Sequence, residues 1–383
     1  MAPFQGMDRM AKHLVLVGGG HAHLTTLLHL GEYIQRGHQV TVIGPHPYHY
    51  YSGMGPGLLA GIYEPHEVRF NIMKMSEERG ARFVQDEVAK IDVERRVLHL
   101  LSGDAVHYDV VSFNVGSSIP MHRLDGTDGS LIPVKPISNL YQARLVISRM
   151  PRDMPVGIVV VGGGPAGIEV AANAWRLLQN NRQKGTITIV GGSRTLDSFP
   201  EKARSLVRKS FAARRIDLLE GSRVRAFRRG RAVLADGRSV KFDFAFLAVG
   251  VQPPELFPLS ALPTGPDGGL LVNEHLQCVS HPDIFGGGDC IQLQGHPLAK
   301  VGVHAVRQNP ILRDNLMAAL DGGKMKRFEP RDNFMLVLNM GDNTGVLCKN
   351  HWVLNGRMAF RLKDYIDRRF MRKYQVSGES EEI

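Results

Sequence analysis

The chain has 383 residues, of which 43% are hydrophobic and 22% are charged, a balance typical of a globular protein with two or three domains. Its net charge of +10 suits anionic partners such as phosphate-rich cofactors, anionic lipid or nucleic acid, and charge alone does not choose among them. Three cysteines are too few for a disulfide framework, no apolar run reaches the roughly 18 residues of a membrane-spanning helix, and we expect no secretory signal.

The chain repeats one pattern. Residues 13–30 and 156–173 each read as a short apolar strand, three glycines and an apolar helix. Each copy continues into a second β-rich run, a meander of short segments and a strand that ends in glycine, Gly116 in the first half and Gly250 in the second. Two units of this kind are typical of dinucleotide-binding folds. We therefore predict an α/β protein with two tandem Rossmann-like domains and a small C-terminal segment.

Each copy places a glycine turn between its strand and its helix. In such turns the first glycine allows a tight bend, the second lets the backbone approach a pyrophosphate, and the third lets the helix pack closely on the strand. The phosphates then lie at the helix N-terminus, where free N–H groups favour negative charge. The candidate cofactor-binding residues are Gly18, Gly20, His21, Ala22 and His23 in the first glycine turn, and Gly162, Gly164, Ala166 and Gly167 in the second.

The first glycine turn has His23 where the third glycine is usual. We expect its helix to lie slightly further from the strand, or the imidazole to be used in the turn. His21 and His23 are expected to line or flank the pyrophosphate rather than bind a metal, because no carboxylate or cysteine completes a ligand set nearby. We predict no metal site.

Both halves lack the carboxylate that usually follows the second strand and binds the ribose hydroxyls. The strand ends are Ile-Gly-Pro-His at 43–46 and Val-Gly-Gly-Ser-Arg at 190–194. In the second half, Ser193 and Arg194 can hold a 2′-phosphate, which favours NADPH. The alternative is that Arg194 is only solvated, so the choice between NADH and NADPH stays open.

A third motif, Ile-Phe-Gly-Gly-Gly-Asp-Cys, occupies residues 284–290. An apolar strand ends here in glycines, including Gly288, and Asp289 stands just before the expected start of a helix. A carboxylate in that place can accept hydrogen bonds from the ribityl chain of a flavin. The alternative is that Asp289 is an N-cap without a ligand.

Together these motifs resemble the two-dinucleotide-binding-domain flavoproteins of the pyridine nucleotide-disulfide oxidoreductase superfamily, in the branch of the type II NADH dehydrogenases and sulfide:quinone reductases. The resemblance runs from about residue 12 to residue 374. Within that branch, five segments resemble the FAD-containing NADH dehydrogenase-like module that is often fused to selenide, water dikinase: residues 18–23, 51–61, 134–137, 304–310 and 362–374.

The resemblance implies FAD in the first domain and NADH or NADPH in the second. The implied organisation is a first part of the FAD-binding domain at 1–125, an NAD(P)-binding domain at 126–272, a second part of the FAD-binding domain at 273–330, and a C-terminal segment with a basic amphipathic helix at 331–383. No low-complexity linker separates these parts, so we expect them to pack closely.

The resemblance also implies roles outside the glycine turns. Glu169 matches a glutamate near nicotinamide and flavin, although a carboxylate in the first turn of a helix also favours the helix dipole without a catalytic role. Tyr51 and Ser52 are expected at the flavin ring. His304 and Gln308 resemble the segment that covers the flavin's pyrimidine edge and lines the quinone pocket, and their alternative is a buried polar pair that the backbone satisfies.

The cysteines depart from the wider family. Disulfide reductases and sulfide:quinone reductases need a cysteine in the first half of the chain, and here none precedes Cys278. Cys290 is expected to be a buried structural thiol. Cys348 is also expected to take no part in the chemistry, and the alternative is that it faces the flavin. If residues 279–285 are extended, Cys278 and Cys290 are separated by about 20 Å and cannot pair.

Residues 357–374 predict a basic amphipathic helix. Seven Lys or Arg residues and two Asp residues in 357–373 surround apolar positions at helical spacing: Met358, Leu362, Tyr365, Ile366 and Phe370. We expect this face to pack on the FAD domain or on the second subunit of a homodimer, because Arg369 and Lys373 interrupt it. The alternative is a helix on a membrane surface.

The predicted function is that of an FAD-dependent enzyme that passes hydride from NADH or NADPH to FAD and on to a quinone-like or other small acceptor, without a nucleic-acid partner. One alternative is a flavin-dependent enzyme that oxidises sulfide or selenide. Another is a non-catalytic, flavin-bearing partner module of selenium metabolism, which the missing carboxylate after Val190 keeps open. We expect a cytoplasmic protein, with peripheral contact at the inner face of the membrane as the alternative.

Overall fold

A computed structural model describes residues 11–121, 126, 130–331 and 333–379. The strands are β1 His13–Val17, β2 Gln39–Gly44, β3 Tyr48–Tyr50, β4 Arg69–Asn71, β5 Arg82–Gln85, β6 Val88–Asp92, β7 Val97–Leu100, β8 Ala105–His107, β9 Val110–Phe113, β10 Leu131–Pro133, β11 Val156–Val161, β12 Gly185–Val190, β13 Ile216–Leu219, β14 Val224–Arg228, β15 Arg231–Leu234, β16 Ser239–Lys241, β17 Phe244–Leu247, β18 Leu270–Val272, β19 Ile284–Gly286, β20 Ile291–Leu293, β21 Leu336–Asn339, β22 Gly345–Lys349 and β23 Trp352–Gly356. The helices are α1 Leu24–Leu28, α2 Leu30–Gln35, α3 Gly55–Ala60, α4 Ile72–Glu77, α5 Ser138–Ser148, α6 Pro165–Asn180, α7 Glu201–Ala213, α8 Leu256–Leu259, α9 Gly302–Asp321 and α10 Arg357–Tyr374.

Two parallel sheets that share the order of four of their five strands form the centre of the molecule. The first is β19-β9-β1-β2-β5 and the second is β10-β17-β11-β12-β13. The central strands β1 and β11 are the two copies of the repeated pattern, and they are apolar and almost wholly buried. Such runs suit parallel strands, which are covered by helices on both faces. The predicted α/β class with two Rossmann-like sheets is confirmed.

The first sheet is assembled from two distant parts of the chain. Strand β19 follows the whole second sheet in sequence, and it pairs with β9 so that Ile284 lies opposite Val111. The core around β1 therefore includes side chains of β19 and of α9. A divided first domain is consistent with this pairing, and the boundaries at 125, 272 and 330 stay predictions.

Each central sheet is followed by an antiparallel meander, β6-β7-β8 in the first half and β14-β15-β16 in the second. After each meander the chain returns to the sheet through β9 or β17. These two strands end at Phe113 and Leu247, so that the next residues, Asn114 and Ala248, come to lie beside the glycine turns. The carboxyl ends of the parallel strands thus position both candidate sites.

The C-terminal sheet, β21-β22-β23, leads directly into α10. The structure exposes four of the apolar side chains of α10, which we call the apolar stripe: Met358 at 73%, Leu362 at 40%, Tyr365 at 55% and Ile366 at 38%. These four residues do not pack on the FAD domain, so that part of the expectation was wrong, and packing on the second subunit of a homodimer stays a prediction. Phe370 does pack inward, with its ring 4.9 Å from that of Tyr51.

The buried face of α10 is instead a mixed one. Ala359, Asp367, Met371 and Tyr374 are buried, and Lys363 is largely enclosed beside Asp367. An ion pair therefore occupies the inner face in place of the apolar stripe. In the part of the chain that the structure describes, no helix combines the length and the apolar composition needed to cross a membrane.

Candidate functional site

The first glycine turn, residues 18–23, closes β1 against the end of β9. Gly18 has a φ of +87°, which favours glycine, and a Cβ there would lie 2.4 Å from the carbonyl oxygen of Asn114. A Cβ on Gly20 would lie 2.3 Å from Asn114 Oδ1. Both positions therefore require glycine, which leaves a bare backbone surface that a pyrophosphate can approach.

His23 fills the place of the third glycine with hydrogen bonds of its own. The side chain is fully buried, with Nδ1 2.6 Å from the Gly18 carbonyl oxygen and Nε2 2.8 Å from Ser112 Oγ. Burial lowers the pKa of His23 to about 4, so the ring is neutral at physiological pH. The imidazole is thus used to hold the turn against β9, the second of the two arrangements expected from the sequence.

Asn114, which sequence reasoning missed, links the first glycine turn to the turn after β19. Its Oδ1 accepts a hydrogen bond from the Ala22 N–H at 2.9 Å, and its Nδ2 donates to the Gly287 carbonyl at 2.5 Å. The residue is 4% exposed. The sequence signal for this role was an asparagine directly after an apolar strand. A polar side chain at such a buried position is expected to make hydrogen bonds.

Asp289 lies in the turn after β19, where Gly288 has a φ of +76°. Its Oδ2 lies 2.5 Å from Lys135 Nζ and 2.9 Å from Ser117 Oγ. Lys135 is thus a partner that the sequence analysis did not connect with this carboxylate. The role of Asp289 toward a ribityl chain, and that of Gly116 beside Ser117, stay predictions.

Gln308 on α9 reaches the same turn. Its Oε1 accepts from the Gly288 N–H at 2.7 Å, while its Nε2 has no hydrogen-bond partner within the described ranges, although the residue is fully buried. His304, one helical turn earlier, is also buried and meets Phe334 edge-on with ring centroids 5.9 Å apart. The roles of His304 and Gln308 in a quinone pocket stay predictions.

His21 belongs to an aromatic group beside the first glycine turn. Its ring centroid lies 5.3 Å from that of Tyr51 and 6.0 Å from that of Phe370. Ser52 lies next to the start of α9, where a Cβ on Gly302 would be 3.5 Å from Ser52 Oγ. The structure therefore brings the predicted residues His21, Tyr51 and Ser52 into one region.

The second glycine turn, residues 162–167, repeats the arrangement between β11 and α6. A Cβ on Gly162, whose φ is +129°, would lie 2.2 Å from the Ala248 carbonyl oxygen. A Cβ on Gly167 would lie 1.9 Å from the Gly162 carbonyl oxygen, so helix α6 starts in direct contact with the turn. The residues of this region whose cofactor roles stay predictions are Gly164, Ala166 and Gly250.

The loop after β12 holds the residues predicted to bind a 2′-phosphate. Arg194 is mostly exposed, and its Nε lies 3.1 Å from Asp197 Oδ1. A Cβ on Gly192 would lie 2.9 Å from Cγ of Arg223, so a second exposed arginine, which sequence reasoning missed, borders this loop. The phosphate role of Arg194 stays a prediction, and Arg223 becomes a second candidate for it.

Four side chains from distant parts of the sequence form what we call the polar cluster: Tyr51, Glu169, Lys363 and Asp367. Lys363 Nζ donates to Asp367 Oδ2 and to the carbonyl of Gly53, both at 2.6 Å. The Tyr51 hydroxyl donates to Asp367 Oδ1 at 3.1 Å, and Glu169 interacts electrostatically with Lys363. Because Gly53 follows β3 and Glu169 lies in α6, the polar cluster lies where the two units meet.

Burial sets the charges in the polar cluster. It raises the pKa of Glu169 to about 7, against the opposing effects of Lys363 and of a 2.8 Å hydrogen bond from the Asn339 N–H, although part of the side chain stays accessible. Burial also raises the pKa of Asp367. For Lys363 burial opposes the charge, but the carboxylates of Asp367 and Glu169 outweigh it and raise the pKa. The cluster therefore combines an ammonium with a carboxyl that titrates near neutral pH.

The three cysteines are buried and free. The Cys290 thiol donates to two backbone carbonyls at 3.3 and 3.5 Å, and burial raises its pKa to about 11, so it stays a neutral thiol. Cys348 packs in the core of the second sheet. The expectation that residues 279–285 are extended was wrong, because the chain turns back and the Cys278 N–H donates to the Ile284 carbonyl at 2.8 Å.

The residues present fit a dinucleotide at each glycine turn. Close backbone approaches at Gly18, Gly20 and Gly162 leave no room for side chains there. Two buried nitrogens, Gln308 Nε2 and His21 Nε2, lack a partner among the residues that the structure describes, and such atoms favour a ligand that pairs with them. The same residues contain no group of three His, Cys, Asp or Glu side chains suited to a metal ion.

Two relatives are similar to this chain over most of its length. Ferroptosis suppressor protein 1 of Taeniopygia guttata is 26% identical over 316 residues, which cover 79% of this chain and 80% of that protein. Demethylphylloquinone reductase NdbB of Synechocystis sp. is 23% identical over 335 residues, which cover 83% of this chain and 82% of that protein.

Two solved structures share the fold. The sulfide:quinone oxidoreductase of Aquifex aeolicus has a TM-score of 0.79 at 18% identity, covering 96% of this chain and 92% of that one. NDH2 of Plasmodium falciparum in complex with NADH has a TM-score of 0.79 at 15% identity, covering 96% and 98%. The family model of the pyridine nucleotide-disulphide oxidoreductases matches residues 12–309. Since that match spans both glycine turns and most of the sequence, the chain belongs to the pyridine nucleotide-disulphide oxidoreductase family.

Proposed function

We propose that the protein is an FAD-dependent oxidoreductase that takes a hydride from NADH or NADPH and reduces a quinone. Members of the family bind FAD together with NADH or NADPH. A quinone acceptor is supported by the relative that is a demethylphylloquinone reductase. The further resemblance to the module fused to selenide, water dikinase stays a prediction, and no comparison bears on it.

The position of the polar cluster is the observation that carries this proposal. Glu169 lies two residues beyond Gly167 in the second glycine turn, and Lys363 is bonded to Gly53 in the segment after β3. A nucleotide at the second turn and a flavin at the first would meet next to this cluster. When bound, FAD accepts the hydride of the reduced nicotinamide and passes two electrons to the acceptor.

The polar cluster supplies what the reduction of a quinone needs besides electrons. Conversion of a quinone into a quinol consumes two protons. During the reduction, negative charge develops on the two quinone oxygens. Glu169, with a pKa of about 7, holds a proton that it can release near neutral pH. Lys363 keeps an ammonium fixed between Asp367 and the Gly53 carbonyl, where it can stabilise a developing oxyanion.

The thiols do not favour the first alternative, an enzyme that oxidises sulfide or selenide. A sulfide-oxidising site needs two sulfurs that can form a disulfide beside the flavin. Here Cys290 is fully buried, is bonded to backbone carbonyls and has a raised pKa, all of which favour an inert thiol. Cys348 is buried in the hydrophobic core of the second sheet.

Steady-state turnover by the purified chain tests the proposal. We expect oxidation of NADH or NADPH with a short-chain benzoquinone as acceptor, and a yellow flavin spectrum in the purified protein. Turnover with sulfide or selenide as the donor, in place of NADH and NADPH, would support the first alternative. A flavin-containing protein without turnover from any of these donors would support the partner module.

We further propose that the apolar stripe of α10 binds an anionic membrane surface. The strand before it, β23, also exposes Trp352 at 75% and Leu354 at 59%, so two adjoining elements present large apolar side chains. Exposed Arg369 and Lys373 flank the stripe along the helix, and long basic side chains at such positions suit anionic head groups. The protein would then lie at the membrane in which a lipid-soluble quinone is dissolved.

A further inference from the structure

His21 directly follows Gly20 in the first glycine turn, at the position where the second glycine turn has Pro165. Proline carries no polar side-chain atom, so the imidazole gives the first turn a group that the second one lacks. The side chain is 8% exposed, and Nε2 has no hydrogen-bond partner among the described residues. A buried ring nitrogen in this state is unfavourable and indicates a ligand atom that pairs with it.

The other ring nitrogen of His21 is in contact with a second histidine. His49 Nε2, on β3, lies 3.4 Å from His21 Nδ1, and the two rings meet edge to face with centroids 5.0 Å apart. Phe70 stacks on His49 at 6.4 Å, while Tyr51 and Phe370 enclose His21. The pair is therefore held in place by aromatic rings on several sides.

Both imidazoles are neutral at physiological pH. Burial lowers the pKa of His21 to about 4 and that of His49 to about 3, and the positive charge of Lys135 acts in the same direction on both. Tyr51, the titratable group packed against His21, has a pKa raised well above its usual range by burial and by Asp367, and is also neutral. Two neutral imidazoles share one proton across their contact, so this contact decides which nitrogen of His21 carries its own proton.

We propose that His49 donates its Nε2–H to His21 Nδ1 and thereby fixes the tautomer in which His21 Nε2–H donates to an acceptor oxygen of the bound flavin dinucleotide. The donor direction follows from the ligand, because a diphosphate at Gly18 and Gly20 brings oxygen acceptors and no donor of its own. This inference rests on the proposed FAD site and adds a side-chain donor to the backbone of the turn.

Four variants of the full-length flavoprotein test the histidine pair. His21→Phe removes the donor and keeps a ring, and His49→Phe removes the group that fixes the tautomer. His49→Gln keeps an amide N–H that can donate to His21, and His99→Phe changes an exposed histidine of β7, outside the proposed FAD site, as a matched control. The readouts are the dissociation constant of FAD, the visible spectrum of the bound flavin and the thermal melting curve that reports folding.

We expect His21→Phe and His49→Phe to weaken FAD binding about 10- to 100-fold, as the loss of a hydrogen bond to a charged acceptor does. His49→Gln should recover affinity to within about threefold of the wild type, and His99→Phe should leave it unchanged. The difference in FAD affinity between the wild type and His21→Phe should also be constant between about pH 5.5 and 8, because neither ring takes up a proton there. Equal losses with FAD and ADP-ribose would place the acceptor on the diphosphate, and a loss with FAD alone would place it on the flavin or ribityl part.

Two results would overturn the inference. One is a folded His21→Phe variant with the FAD affinity and spectrum of the wild type. The other is a His49→Gln variant as weak as His49→Phe, which would show that His49 matters through its ring alone. A wild-type protein that does not bind FAD would instead refute the proposed function, so the two failures are distinguishable.

Discussion

At the scale of single residues, Asn114 holds the geometry of the first glycine turn. Asn114→Ala would leave the buried Ala22 N–H and Gly287 carbonyl without partners. We expect a loss of about 2–4 kcal/mol in the free energy of unfolding and a lower flavin content. Chemical denaturation measures the first and absorbance the second, with the exposed Asn355→Ala as control. Unchanged stability and flavin content would contradict this role.

We expect Glu169 to make the stability of the protein depend on pH. Folding raises its pKa from the ordinary 4.5 to about 7, so the folded state binds the proton more tightly. Stability from this group is therefore complete below pH 4.5 and falls as pH rises towards 7, by at most roughly 3 kcal/mol because part of the side chain is accessible. The unfolding free energy of the wild type should therefore fall relative to that of Glu169→Gln between about pH 5 and 8. Parallel curves for the wild type and Glu169→Gln would refute the raised pKa.

The sequence predicts those residues whose role depends on the backbone at their own position. Gly18 and Gly162 must be glycine because the backbone there turns with a positive φ, and that need is visible in the motif itself. Asn114 and Lys363 act through partners far away in the chain, Gly287 and Gly53, so their roles appear only when distant segments are brought together.

At the scale of elements, we predict that the loop after β12 distinguishes NADPH from NADH. Arg194→Ala should weaken NADPH about tenfold while NADH changes less than about twofold, because only NADPH brings a 2′-phosphate for a charge-assisted hydrogen bond. Arg223→Ala should act in the same direction, and the exposed Arg152→Ala serves as control. Titration with each nucleotide measures the effect, and equal weakening of both nucleotides would rule out the phosphate role.

The exposed face of α10 leads to a prediction about vesicle binding. Leu362→Glu with Ile366→Glu should abolish sedimentation of the protein with phosphatidylglycerol vesicles, since a large apolar side chain contributes about 1.5–3 kcal/mol when it leaves water. Leu259→Glu, at a site 70% exposed on α8, is the matched control. If the double variant sediments like the wild type, the apolar stripe does not bind the membrane.

Helix α10 also shows why a helix can be predicted while its orientation cannot. The spacing of apolar residues predicted the helix correctly, from Arg357 to Tyr374. The expectation that the apolar stripe packs on the FAD domain was wrong because the face that does so contains Lys363 and Asp367, which neutralise each other and bond to Gly53 and Tyr51. Hydrophobicity alone does not reveal such a pair.

At the scale of the whole molecule, four strands in each sheet follow one order, β9-β1-β2-β5 and β17-β11-β12-β13, which explains the repeat in the sequence. Of these, β1, β2, β11 and β12 have five or six residues and are predicted by their apolar runs. The fifth strands, β10 and β19, have three residues each and come from outside that repeat, one before β11 and one after the second sheet. Their place follows from pairing with β17 and β9, which sequence periodicity does not show.

Anaerobic reduction of the purified flavoprotein by NADH or NADPH tests the central claim most directly. We predict that the flavin's visible absorption bleaches rapidly with at least one of them and returns when a quinone is added. A variant with all three cysteines changed to serine should keep its reduction rate within a few-fold, because no thiol takes part. A flavin that neither nucleotide bleaches would contradict the account. So would a folded, flavin-loaded triple variant slowed more than about a hundredfold, a barrier change of about 2.7 kcal/mol that would point to sulfur chemistry instead.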